Sequence, residues 1–597
     1  MQLSNKLYDI INQEISADIN ILKSRDEQPV FEVNGYLTSS KYRPIKEAQK
    51  ISTENYKKHH FHILLGIGSG YIAEELYSML GDHERLLIVE PNKKLLEMLS
   101  ETRCFNDLQK VNILSGLAFE QLEKYLAPIV TEYNNRIQLI ISPNYDKLYP
   151  HFIKQVMVKI EEALMLEVVN RNTLRQFAND WQENFINNLN SAFKSIPFSL
   201  LSGKLSCPIV IASGGPSLIK QIPLIKGNRN SFLLLCAGST INTLLANEII
   251  PDAIVSIDGG MENFKHFKNM EDFRIPLFYS AMVHKDILKL HTGKKIIFNN
   301  MSHNQSAKII NDLLQYEVGE IVGGGSVANF SLDIAYKLTS GPICLIGQDL
   351  AYTGNVTHAK GNENFAIIGE KQIEERKMFK INGYYGEEVL TDYPFYSMKK
   401  SFEIYLEYVN RGDRKNNIYN CTEGGALIKG CENLPFTSFL NKFCKKPVPQ
   451  NFTRLLNEIT IEKTQEQWKE LYEYVEYEKQ TSEKARLLCK EAQDLLLKLN
   501  HYSPNFTNKV LKKLEKLDNR LKELLKNELL FYLFQDVIFS INNNFLEKET
   551  ETADEKQKRI YFKSMALYKG IQSSSEKSIK WYGDLLDNIL EEMSGSE

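Results

Sequence analysis

The stretch Ile209-Val210-Ile211-Ala212-Ser213-Gly214-Gly215-Pro216-Ser217-Leu218 decides the fold. Its first four residues are apolar without polar alternation, the pattern of a strand buried on both faces in a parallel sheet. Gly214 and Gly215 then turn the chain. Pro216 suits the first turn of a helix, where its missing N–H would have had no partner anyway. The turn is also a candidate anion cradle. Two glycines free backbone N–H groups to face a phosphate, and the Ser213 and Ser217 hydroxyls add donors. It is not a Walker loop, because no Gly-Lys-Ser/Thr follows. A bare strand-to-helix turn is the alternative.

Working outward, residues 232–235, 253–257, 277–279 and 343–346 read as further buried strands, most of them ended by a small, polar or acidic turn. In open α/β sheets, ligands bind at that carboxyl edge. The second strand leads into Cys236-Ala237-Gly238-Ser239-Thr240. Pro251-Asp252 precedes a strand ending in Asp258-Gly259-Gly260, where Asp258 suits a ribose, sugar or metal contact, or else a helix N-cap. Gly323-Gly324-Gly325-Ser326 leads into another helix. Gln348, Asp349, Tyr352 and His358 all follow the 343–346 strand, and Asn420-Cys421-Thr422-Glu423-Gly424-Gly425 forms a further polar turn. Together these turns point to a nucleotide-type site.

Upstream, 61–65, 86–89 and 137–141 read as strands of a second sheet, and residues 153–197 as a long helix. Gly66-Ile67-Gly68-Ser69-Gly70 after a strand, with Glu90 closing the next, resembles a nucleotide or S-adenosylmethionine fingerprint in which Glu90 takes two ribose hydroxyls. A tight turn with no ligand fits the same letters. Beyond Pro447-Val448-Pro449 glycine nearly vanishes. Ala485, Leu488, Ala492, Leu495, Leu496 and Leu499 follow helical spacing, and 507–548 and 555–595 read as two long helices. The expected fold is therefore α/β, with two Rossmann-like parallel-sheet domains in tandem followed by a C-terminal α-helical bundle. The boundaries fall at 1–200, 201–446 and 447–597.

Charge narrows the function. Across 597 residues, 72 Lys and Arg balance 75 Asp and Glu, leaving no basic excess to draw a nucleic acid. No window approaches the length of apolar chain that a membrane span needs, and the first residues lack the pattern of a signal peptide. The eight cysteines form no CxxC pair, so a reduced, cytoplasmic protein is expected. Metal-ligand spacings such as HExxH are absent, as is the GxSxG elbow of the α/β-hydrolases.

SGGPSL at 213–218, PDAIVSID at 251–258, GGSVAN at 324–329, GQDLAYTGNVTHAKG at 347–361 and NCTEGGALIKG at 420–430 resemble the motility-associated-factor (Maf) flagellin glycosyltransferases. GIGSGY and VEPN extend the likeness into the N-terminal domain. The central segment is also similar to small bacterial sialyltransferases. The resemblance implies a CMP-activated nonulosonic acid, of pseudaminic or legionaminic type, as donor substrate. It implies flagellin Ser or Thr hydroxyls as acceptors, a role in motility, and no required cofactor. Metal independence is expected, with Asp258 the ligand if a divalent ion takes part. On this reading Ser213, Gly214, Gly215, Pro216, Ser217, Gly325 and Ser326 hold CMP, while Gly238, Ser239, Thr240, Asn420, Thr422 and Glu423 flank ribose and base. Asp258 and Gln348 complete the binding set. His358 is the candidate base for the acceptor hydroxyl, Tyr352 a donor to the departing phosphate, and Asp349 either a participant or a residue that orients its loop.

Two other readings compete. A pterin-type pyrophosphokinase would share the GPSL-like and PD…D-like elements, use ATP with Mg²⁺ and need Asp258. A flagellin-binding, chaperone-like protein would grip its partner through the helical tail, where Leu529-Leu530-Phe531-Tyr532-Leu533-Phe534 forms an apolar stripe.

Overall fold

The computed structural model describes residues 7–9, 17–102, 110–115, 119–133, 136–270, 273–301, 304–362, 364–411, 417–448, 451–499, 504–548 and 551–594. Cys104 and Pro449 lie outside them, as do the first six residues. The chain forms two compact units, residues 1–172 with 542–560, and residues 173–541 with 561–597.

The first unit is built on a parallel sheet in the order Leu7–Asp9, Val111–Ser115, Leu86–Glu90, Phe61–Leu65, Ile137–Ile141. Phe61–Leu65 and Leu86–Glu90 are buried at every position, the apolar residues with His62 and Glu90 among them. A small antiparallel sheet of Ile19–Lys23, Pro29–Val33 and Tyr36–Leu37 completes the strands of this unit.

The second unit holds a nine-stranded parallel sheet. Its order is Glu432–Asn433, Ile418–Asn420, Ile343–Ile346, Ile209–Ala212, Leu233–Ala237, Ala253–Ser256, Leu277–Tyr279, Lys295–Ile297, Ile196–Pro197. From Ile209–Ala212 the chain steps outward strand by strand on one side, then returns to lay Ile343–Ile346 on the other. The topological switch point therefore falls between these two strands, which pair Ile209 with Ile343 through to Ala212 with Ile346. The helix Val327–Leu338 ends at the amino edge of the sheet, where Thr339 bridges Leu205. Its N-terminus and the Gly323–Ser326 turn thus lie toward the carboxyl edge.

Helices follow the sequence with two differences. The stretch expected to be one helix over 507–548 is two, Pro504–Leu524 and Glu528–Asn544. Asn527 restarts the chain by accepting the Leu530 N–H on its side-chain oxygen (2.7 Å), an N-cap contact that periodicity alone does not reveal. The helix after the 213–217 turn begins at Leu218 with Ser217 at the N-cap position, so Pro216 lies just before the helix. The helices Gln465–Leu499, Pro504–Leu524, Glu528–Asn544 and Ala553–Ser594 form the C-terminal bundle. Trp468, Leu530 and Tyr582 from these helices share one apolar core with Leu234 and Leu277 of the sheet, and Trp468 packs edge-on against Phe193 at 4.9 Å. The stripe at 529–534 is mostly bundle interior, with Leu529, Leu530, Leu533 and Phe534 buried.

Candidate active site

At the switch point the loops after Ile209–Ala212 and Ile343–Ile346 are tied together. The Ser213 hydroxyl donates to Gln348 Oε1 (2.6 Å) and the Gly215 N–H to the Gly347 carbonyl (2.9 Å). Asp349 accepts from the Ser217 hydroxyl (2.6 Å), the Ser217 N–H (3.2 Å to Oδ2) and the Thr353 hydroxyl (2.7 Å). Burial pushes the Asp349 carboxyl above the ordinary carboxylate range, while the bonds from Ser217 and Thr353 oppose that rise. A methyl group on Gly215 would overlap both Asp349 Oδ2 and the Gly347 carbonyl, so the glycine is fixed by this packing.

The donors of the expected phosphate cradle have partners inside the protein. The donors of Ser213 and Ser217 are engaged, the Leu218 N–H returns to the Gly215 carbonyl, and Pro216 has none. Within 213–218 only the Gly214 N–H has no acceptor among the described residues. A buried carboxylate sits where the motif suggested a bound anion.

A different group gathers on the open side of Gly214. The position a Cβ would take there lies 3.0 Å from Asn362 Nδ2, 3.4 Å from Thr240 Oγ1 and 3.7 Å from His358 Cδ2. Asn362 donates to the Ser239 carbonyl (3.1 Å), and the Ala359 N–H donates to the Gly214 carbonyl (3.0 Å), so three loops meet here. Thr240 is fully buried and its hydroxyl has no partner among the described residues. Gly238 packs beside Asn263 and Phe267. His358 is half-buried with Nδ1 3.1 Å from the Asn364 carbonyl. A carbonyl only accepts, so Nδ1 carries the proton and Nε2 keeps its lone pair. Burial lowers the imidazole pKa below 6.5, the Asn364 contact opposes this, and the charge of nearby His266 adds to the lowering.

Asp258 lies two residues past the Ala253–Ser256 strand and is exposed to water, yet the protein crowded around it raises the carboxyl above its usual range. It does not cap a helix, since Gly260 occupies the N-cap position of Met261–Lys265. Its loop is held by Asn263, which donates to the Ser256 hydroxyl (2.9 Å) and the Asp258 carbonyl (2.7 Å). Among the described residues no group of three or more His, Cys, Asp and Glu side chains is gathered as a metal site. Asp252, in the PD motif, is structural: it accepts from the Leu234 N–H (2.7 Å) and pairs with Arg229 (2.9 Å).

Other expected site residues stand elsewhere. Tyr352 is buried, and its hydroxyl donates to Asp392 (2.6 Å) while accepting from Arg376 (2.6 Å). Its proton, expected to serve a departing phosphate, is engaged by Asp392 in this structure. Asn420 and Thr422 are fully buried. Thr422 accepts the Gln348 N–H (3.2 Å), Asn420 accepts the Thr422 N–H (3.2 Å), and Glu423 accepts the Phe436 N–H (3.1 Å). Thr422 thus ties this turn to the Gln348–Asp349 loop, while Glu423 is half-buried and tied to the start of the Phe436–Phe443 helix. Gly325 and Ser326 pack near Met398 and Ser401, with the Ser326 hydroxyl donating to Asn329 (2.8 Å).

Sequence reasoning passed over Asn263, Asn362, Arg376 and Asp392. Asn362 lies one residue beyond the GQDLAYTGNVTHAKG run. Asp392, followed by Tyr393-Pro394, carries the signature of a helix start, and it accepts the Phe395 N–H (3.0 Å).

In the first unit the glycine turn takes a different course from the fingerprint reading. Glu90 is fully buried, accepting the N–H groups of Ile67 (2.8 Å) and Asn92 (2.9 Å) and the Tyr145 hydroxyl (2.6 Å). Tyr145 also accepts the Gly68 N–H (3.0 Å), and a side chain on Gly66 (φ 89°) would run into its ring. The ring and hydroxyl of Tyr145 take the place the motif assigns to a ribose.

The fold has a counterpart among solved structures. A Maf glycosyltransferase from Magnetospirillum magneticum AMB-1 superposes with a TM-score of 0.58 over 97% of this chain and 95% of that one, at 15% identity. The chain has the fold of a Maf glycosyltransferase. The family model for 6-hydroxymethylpterin diphosphokinase MptE-like proteins matches residues 183–355, the segment that carries most of the switch-point loops. An uncharacterized protein of Treponema pallidum (strain Nichols) is 22% identical over 225 residues, 36% of this chain and 76% of that protein. The Maf-like fold thus spans both sheets and the helical bundle. No helix among the described residues is long and apolar enough to cross a membrane.

Proposed function

We propose that the protein is a glycosyltransferase of the Maf type, moving a nonulosonic acid from its CMP-activated form to a Ser or Thr hydroxyl of flagellin. The observation that carries this reading is the gathering of the Gly214 N–H, the partnerless Thr240 hydroxyl, Asn362 and His358 at the switch point of the central sheet. The Maf-like fold and the motif order support it. As the glycosidic bond to phosphate breaks, the anomeric carbon becomes oxocarbenium-like and CMP departs with a growing negative charge. The Gly214 N–H, the Thr240 hydroxyl and the second N–H of Asn362 are donors that would meet that charge. His358, neutral at pH 7 and with Nε2 free of its Asn364 contact, would take the acceptor proton. Asp349 orients the loops and does not react.

The test is intact-mass analysis of the cognate flagellin after incubation with purified protein and a CMP-nonulosonate, with and without a metal chelator. The expected result is a ladder spaced by one sugar residue, lost in Asn362→Ala and His358→Ala. The match of residues 183–355 to the MptE-like family favours a second reading, ATP-dependent diphosphoryl transfer with Asp258 holding the metal. ATP–Mg²⁺ binding that Asp258→Asn abolishes, with no CMP binding and no ladder, would establish that reading instead.

A further inference from the structure

Within the second unit, away from the switch point, lies a cavity of about 320 Å³. It is bounded by the helix Asn304–Leu314, the helix Gln465–Leu499, the turn at 527–529 and Phe193. Its lining is unequal in charge. Asp312 and Glu470 are exposed to water, and Glu478, on the same helix two turns beyond Glu470, is only 2% exposed.

Glu478 is the unusual member. One carboxyl oxygen accepts from Asn527 Nδ2 (2.8 Å), whereas the other has no partner among the described residues. Burial holds the carboxyl up near 7. One turn along the helix the buried Ser482 hydroxyl is likewise unpartnered. A buried acid left half-satisfied is costly unless something brings it a donor or a positive charge. Tyr474 lies among Glu478, Asp312 and Glu528, and their charges add to the burial that raises its phenol pKa, so this corner of the cavity is acidic throughout.

The cations present do not relieve it. Glu528 is paired with Lys308 on the outside. Lys463, the basic group of the lining, stands over the rings of Phe193 (4.4 Å) and Tyr316 (5.3 Å) and makes no ion pair among the described residues. Lys308 also acts on Asp312, one helix turn along, whereas Glu470 and Glu478 have no ion pair among the described residues, so an anionic ligand would meet these two acids against the one amine of the lining. A cation would meet the acids, the phenol of Tyr474 and a volume suited to a short carbon chain.

We propose that this cavity binds a small organic cation, an alkylammonium or guanidinium compound of diamine size, with its charged head on Glu478. Its exposed acids draw the cation in, and the buried carboxyl fixes the head group. The site is independent of the glycosyl-transfer reading, since none of its residues belongs to the switch-point loops.

The test uses the full-length protein and agmatine and putrescine as probes, titrated calorimetrically up to 10 mM at constant ionic strength, with sodium chloride as the charge control. Saturable binding of at least one probe is expected. Glu478→Gln should weaken it at least tenfold, and Glu470→Gln should weaken it about two- to fivefold, as expected for a solvated charge. Lys463→Met should leave it unchanged or tighten it. Glu470→Gln changes an exposed residue, so it reports even if the buried variant folds poorly. No binding of either probe, or equal binding by wild type and both glutamine variants, overturns the proposal.

Discussion

Replacing Ser217 by alanine separates the two meanings of the SGGPSL turn. If Ser217 were a phosphate ligand, the variant would keep its stability and lose affinity for CMP. The structure gives the opposite expectation. The Ser217 hydroxyl lies 2.6 Å from Asp349 Oδ2, inside the protein. A hydrogen bond to a charged partner contributes about 1.5–3 kcal/mol, and losing it leaves a buried acceptor short of a donor. Asp349 keeps the Ser217 N–H and the Thr353 hydroxyl, which places the loss near the middle of that range, about 2 kcal/mol. That lowers the folding constant about thirtyfold. The three tryptophans, Trp181, Trp468 and Trp581, all lie in the second unit, so the urea midpoint of their fluorescence reads that unit alone. CMP affinity is measured on the same samples by calorimetry. A lower midpoint with affinity within about threefold of wild type is expected. An unchanged midpoint with affinity reduced tenfold or more would refute the reasoning and restore the cradle.

Two pH dependences follow from other residues. Glu90 titrates near 7 in the folded first unit against 4.5 when unperturbed, so between those values the folded form holds a proton that the unfolded form has lost. Stability of that unit should therefore fall as pH rises from about 4.5 to about 7, by about 3 kcal/mol at 1.36 kcal/mol per unit, and then level off. Hydrogen exchange of the Leu86–Glu90 strand across that range measures the slope, and a slope that persists in Glu90→Gln would assign it to another group. In the glycosyl-transfer assay, His358→Ala should cost about 10²–10⁴ in rate. The wild-type rate should rise through a pKa below 6.5 and stay flat at pH 7–8, because burial lowers the His358 pKa. A rate still climbing above pH 8 would name another base.

The fold was legible because its signals are local and repeated. Unbroken apolar runs such as Ile209–Ala212 and residues 86–89 allow little besides a buried parallel strand, and several of the turns that follow such runs carry glycine. The loops of the site were legible as well, since carboxyl edges follow from strand direction. The roles of individual residues were less so. Ser213, Ser217 and Asp349 have the chemistry of ligand-binding groups, but Ser213 pairs with Gln348 and Ser217 with Asp349 across 132 to 135 positions of sequence, and no local pattern records such pairing. Tyr352 likewise finds Asp392 forty residues away. Asn362 was passed over for the converse reason: its importance comes from reaching Ser239, and an isolated asparagine in a glycine-containing loop looks like turn chemistry.

Tyr145 has an evolutionary implication. Gly66 is needed by the tyrosine ring and by its own positive φ, and both would equally be reasons for a glycine facing a nucleotide. Drift therefore has little freedom to erase the GIGSG signature, whatever the domain once held. A lineage that lost a ligand there and a lineage that never had one would converge on the same letters. The mutational record would differ at position 145 alone, where a small residue, tolerated beside the same glycines, would mark a descendant with its groove open.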